Sequence, residues 1–177
     1  MKVTVFGGST PEPGERAYEE AYDLGKVLAQ AGHSVLTGGY SGTMEAVSRG
    51  AAEMGGHTIG ITCDEIDDFR PGGANQWVLE ERKYPTLKSR MYALIEMCDA
   101  AIALPGGVGT LAEIAAMWNQ IQEGATAERP LIVVGKVWRN FLGTWLIEQR
   151  SYVTKEHGKL LKFVDEAADA IKLIEPE

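Results

Sequence analysis

The chain is poor in the residues that build covalent or metal frameworks, with two cysteines and three histidines in 177 residues. Cys63 and Cys98 stand far apart and form no C-x-x-C, which excludes a disulfide framework and a cysteine zinc site; the expected compartment is the cytoplasm. His33, His57 and His157 are scattered, without an H-x-x-x-H or H-x-E pair, and read as packing or surface residues with no metal to hold. No apolar run approaches the roughly 18 residues of a membrane span, and "MKVTVFGGST" enters a strand pattern without the features of a signal peptide. Lysine and arginine number 17 against 25 aspartates and glutamates, for a net charge of -8. That balance excludes a surface that grips duplex nucleic acid by neutralising phosphates, though a local cluster can still bind one phosphate.

What is present is an ordinary globular composition, 45% hydrophobic and 24% charged, at a length that fits one domain over 1–177. Short apolar runs alternate with longer helix-patterned segments, as in βα units around a parallel sheet. Strands are expected at 3–7, 34–38, 57–62, 100–105 and 131–135, with weaker candidates at 76–81 and 160–164. Helices are expected at 15–31, 42–54, 86–98, 109–122, 138–149 and 166–174. The predicted fold is therefore α/β, a Rossmann-like, doubly wound and mainly parallel sheet with helices on both faces.

In the helix over 86–98, Leu87, Met91, Leu94, Ile95 and Cys98 make one stripe that should face the sheet. The next helix is different, because Leu111, Ile114, Ala115, Met117, Trp118 and Ile121 leave little of its circumference polar. Such a helix is buried on more than one side, either at the centre of the fold or against a second subunit. The segment "RNFLGTWLIEQR" (139–150) is amphipathic without a strongly basic face, so it should pack on the sheet rather than on a membrane. "TCDEIDDFRPGGANQ" (62–76) reads as a long surface loop, either part of a site or a solvated connection. The tail "EPE" is expected to fray.

The stretch "PGGVGTLAE" (105–113) joins a strand to a helix. Glycines let a ligand approach the backbone, and a helix start offers unpaired N–H groups with partial positive charge. Together they make an anion site, and phosphate is its natural guest. A structural alternative stands beside this reading, since Thr110 and Glu113 also fit a T-x-x-E capping box. "VFGGST" lacks G-x-G-x-x-G, and "SVLTG" ends without an acid for a ribose hydroxyl, which disfavours a redox dinucleotide. No G-x-x-x-x-G-K-[ST] occurs, so a monophosphate or small nucleotide fits better than ATP.

"PGGVGTLAE" resembles the P-G-G-x-G-T-x-x-E signature of the LOG (Lonely Guy) family, once labelled "lysine decarboxylase". "TGGYSGTMEAVSRGA" resembles that superfamily's second Gly-rich segment and "VFGGST" its first, so the likeness runs from about residue 3 to 135. It implies hydrolysis of the N-glycosidic bond of nucleoside 5′-monophosphates to free base and ribose 5-phosphate, without metal or redox cofactor. It places the catalytic pair on Arg90 and Glu113, although composition alone would read Arg90 as a solvated surface residue. Gly106, Gly107, Gly109 and Thr110 would hold the phosphate, with Gly38, Gly39 and Ser9 lining the crevice. The resemblance, with the apolar helix, also implies a homodimer. The chain departs from the pattern at Ser89 and Met91, where LOG enzymes carry an "ERK"-like run, and at Ala112, where a second glutamate is common. "GGYSGTMEA" replaces the usual G-G-G-x-x-G-L-M-G and is similar to a sister branch that includes molybdenum-cofactor carriers. A non-catalytic nucleotide or molybdenum-cofactor carrier is therefore the alternative. The decarboxylase label would need a pyridoxal phosphate lysine, and Lys83 and Lys88 read as solvated.

Overall fold

A computed structural model of the chain describes residues 1–69 and 72–174. Seven strands, β1 (Lys2–Phe6), β2 (Ser34–Thr37), β3 (Thr58–Cys63), β4 (Glu80–Tyr84), β5 (Ala100–Ala103), β6 (Leu131–Val134) and β7 (Leu161–Val164), form one sheet in the order β4-β3-β2-β1-β5-β6-β7. Every pairing is parallel; Thr4 of β1 lies between Leu36 of β2 and Ala101 of β5. Strand order reverses between β1 and β5, and in an open α/β sheet a ligand crevice opens at the carboxyl ends of the strands at such a point.

The central strands are apolar on both faces, and their alternation sorts them into two cores. Val3 and Val5, Val35, Ala100 and Ile102, and Ile132 and Val134 pack with α1 (Arg16–Gln30), α2 (Thr43–Glu53) and the 3-10 helix Ala167–Leu173. Phe6, Leu36, Ala101 and Ala103, and Leu131 and Val133 pack on the other face with α4 (Leu87–Glu96), α5 (Val108–Gln122) and α6 (Lys136–Glu148). The doubly wound architecture is thus as the sequence pattern predicts.

Several local expectations are corrected. The strand expected over 76–81 is β4 at Glu80–Tyr84, because Asn75 folds Gln76–Leu79 back as a turn: its Oδ1 accepts from Trp77 N and its carbonyl from Val78 N. Within the presumed loop 62–76, Thr62 and Cys63 end β3, and Asp64–Phe69 form a short helix, α3. A further short helix, α7 (Lys155–Gly158), starts at Thr154, whose hydroxyl accepts from His157 N. In α4 the stripe begins one turn later than expected: Leu87 is exposed, whereas Arg90, Ala93, Leu94 and Ile95 are buried. No helix among the described residues is long and apolar enough to cross a membrane. The tail "EPE" lies outside the described residues.

Candidate active site

The switch point holds a cleft of about 580 Å³, within the size range of small-molecule sites. It is walled by Gly8 and Ser9 after β1, by Tyr40, Met44 and Glu45 around the start of α2, by Gly107, Val108, Gly109 and Thr110 at the start of α5, and by Arg90 and Glu113. Ile66 of α3, Leu87 and the segment Gly72–Asn75 close the remaining side. Ile66 and Gly72–Asn75 thus bring part of the expected loop to the wall of the cleft.

The capping box that stood as the alternative reading of α5 is absent. Gly107 is the N-cap, and no side chain caps the helix. Thr110 falls at the third helical position, too late to cap, and is buried. The first amides of α5 accordingly meet the cleft without a carbonyl or carboxylate of the helix to pair them. This is the arrangement that binds an anion. A capping box does occur at α4, with a serine in place of glutamate: Thr86 Oγ1 accepts from Ser89 N at 3.1 Å and Ser89 Oγ from Thr86 N at 3.2 Å. Arg129 fastens the far end of α4 by donating from Nη1 to Ile95 O at 3.1 Å and to Cys98 O.

Helix α4, fixed at both ends, carries Arg90 inward. Its Nε donates to Ile61 O at 2.7 Å and its Nη2 to Gly38 O at 3.1 Å, so a carbonyl within β3 and one just after β2 replace the water it loses on burial. Nη1 lies 4.0 Å from Glu113 Oε1, with the two side chains 7% and 14% exposed. At that distance the ions attract without closing a direct hydrogen bond. Burial pushes the Glu113 carboxyl up to about 7, and the nearby Arg90 charge opposes part of that rise.

Of the residues singled out in the sequence, Ser9, Arg90, Gly107, Gly109, Thr110 and Glu113 line the cleft together. Gly38 and Gly39 stand behind it. A β-carbon on Gly38 would collide with Arg90 Nη2, so this glycine makes room for the guanidinium. Gly39 donates its N–H to Thr37 Oγ1 and accepts from Asn75. Gly106 lies behind Thr110 rather than in the cleft wall. Sequence reasoning missed Tyr40, Met44, Glu45, Ile66 and Asn75. Tyr40 and Glu45 lie inside the departing segment "GGYSGTMEA", which was the available signal. Among the described residues no group of three or more His, Cys, Asp or Glu gathers to hold a metal ion.

The sequence pattern of the SLOG cluster4 family matches residues 1–157. Two proteins named cytokinin riboside 5′-monophosphate phosphoribohydrolase are similar along nearly the whole chain. That of Mycobacterium tuberculosis is 29% identical and that of Mycobacterium marinum 30%, each over 98% of this chain and 93% of its own length. Among solved structures, the molybdenum cofactor binding protein of Rippkaea orientalis superposes with a TM-score of 0.75 over 98% of this chain and 94% of that one, at 24% identity, a likeness of fold. By the match over residues 1–157, and with the phosphoribohydrolases as its relatives, the chain belongs to the SLOG cluster4 family.

Proposed function

We propose that the protein hydrolyses the N-glycosidic bond of a nucleoside 5′-monophosphate, releasing free base and ribose 5-phosphate. The observation that carries this reading is the sharing of one cleft by the uncapped start of α5 and the buried pair Arg90 and Glu113. Phosphate would sit on the amides of Gly107, Val108 and Gly109, which leaves the sugar beside the acid one turn further along the helix. Glycoside cleavage develops positive charge on the sugar and negative charge on the leaving base. An ionised Glu113 stabilises the oxocarbenium-like carbon or accepts a proton from the attacking water. Arg90, held by two backbone carbonyls, keeps Nη1 available to orient phosphate or sugar oxygens. The phosphoribohydrolases among the relatives support the same chemistry, and it requires neither metal nor redox cofactor. The assembly proposed with it is a homodimer.

The test is release of free base from AMP and related monophosphates. Wild type should release base, with a rate that rises with pH as Glu113 ionises near pH 7. Glu113→Gln, which keeps shape and removes charge, should lose roughly a hundredfold or more. Equal turnover in that variant overturns the assignment. A second reading, a carrier that holds a phosphorylated pterin or nucleotide without cleaving it, is favoured by the segment "GGYSGTMEA" and by the fold of the molybdenum cofactor binding protein. It predicts tight binding with no base released by either protein.

A further inference from the structure

The cation of the site has a third support beside its two carbonyls. Arg90 Cζ lies 5.4 Å from the centroid of the Tyr40 ring, within the range of a cation–π contact. The ring is itself fastened. Tyr40 Oη accepts from Cys63 N at 3.0 Å and has two acceptors for its own proton, Asp67 Oδ1 at 3.0 Å and Cys63 O at 3.2 Å. Asp67 is held by Lys83 Nζ of β4 at 2.8 Å, and the same ammonium reaches Asp64 at 3.1 Å. A continuous chain of contacts thus runs from Lys83 through Asp67 and Tyr40 to the guanidinium.

The two carbonyls accept from Nε and Nη2 and so hold one edge of the planar group. A ring against its face adds a restraint on tilt that edge contacts alone supply only weakly. One short segment supplies both restraints, since Gly38 gives the carbonyl and Tyr40 the ring. We propose that Tyr40 is a positioning residue, whose anchored ring holds the Arg90 guanidinium with Nη1 toward Glu113. The inference rests on the proposed hydrolysis only in giving Arg90 and Glu113 a common task, and its geometry stands without turnover.

The experiment follows the Glu113 carboxyl by 13C NMR in the full-length protein, its resonance assigned by loss in Glu113→Gln. Arg90 of α4 is the opposite charge facing that carboxyl, and Glu45 of α2 is the other carboxylate lining the cleft. In wild type Arg90 opposes the upward push of burial. Tyr40→Leu should release the guanidinium and raise the midpoint further, by on the order of one unit. Tyr40→Phe keeps the ring and loses its anchor, and should shift it less in the same direction. Arg90→Ala sets the upper limit. With AMP, Tyr40→Leu should lower kcat on the order of tenfold or more and leave KM within about twofold. An unchanged Glu113 midpoint in both Tyr40 variants, alongside a lowered Tm, overturns the inference and leaves the ring a packing element. A shifted midpoint in a protein that releases no base supports the positioning role and overturns the hydrolysis. Turnover in wild type with neither midpoint nor kcat moved by Tyr40→Leu does the reverse.

Discussion

A carboxyl pushed up to about 7 by burial is a cost to the fold, and at Glu113 its sign can be worked out. The folded value lies above the ordinary value of 4.5, so the native state binds the proton more tightly than the unfolded chain. Stability from this group is greatest below about pH 4.5, falls as pH rises to about 7, and stays low above that. The shift corresponds to roughly 3 kcal/mol at about 1.4 kcal/mol per unit. Glu113→Gln should therefore unfold at a higher temperature than wild type at pH 8, with the two curves converging near pH 4. Thermal denaturation across that range checks it, and a lower Tm for the variant at pH 8 would show that the carboxylate is not strained by burial. At this scale the sequence was legible in part. Glu113 belongs to a motif whose glycines and threonine mark a helix start. The burial of Arg90 depends on the carbonyls of Ile61 and Gly38, far away in the chain, which no local pattern discloses.

At the scale of elements, periodicity located the long helices and the core strands, because their residues must alternate between two packed faces. It failed where tertiary contacts decide. The turn at Asn75 displaced β4 along the chain, and α3 is held by Lys83 on Asp64 and Asp67 rather than by an apolar face. The contact of α1 with α2 was also hidden. A β-carbon on Gly50 would collide with Tyr22 O, and one on Gly25 with Val47 O, so the two helices touch backbone to backbone. Because α2 starts at the cleft, its seating sets the position of Met44 and Glu45. Gly50→Ala gains about 1 kcal/mol of helix propensity but forces the helices apart, with an overpacking penalty of about 1–3 kcal/mol. The expected balance is a lower denaturation midpoint despite the better helix former. A variant more stable than wild type would mean that the crossing relaxes without strain.

For the whole molecule, the reading of α5 as buried on more than one side is met on one side by the chain itself. Ile114, Met117, Trp118 and Ile121 enter the core, while Val108, Ala112 and Ala115 form an apolar row open to solvent, Val108 being 84% exposed. Small apolar residues in that row permit close approach by another surface, and in a two-fold dimer the row would meet its own copy. Ala115→Glu separates assembly from folding. As an exposed helix position it should leave the stability of a monomer within about 0.5 kcal/mol of wild type, while setting like charges against each other across the axis of a chain already at -8. Light scattering should report a dimer for wild type and a monomer for the variant. Because Val108 also lines the cleft, loss of the partner should weaken AMP binding as well. If the variant keeps the mass of wild type, the α5 row is not where two copies meet.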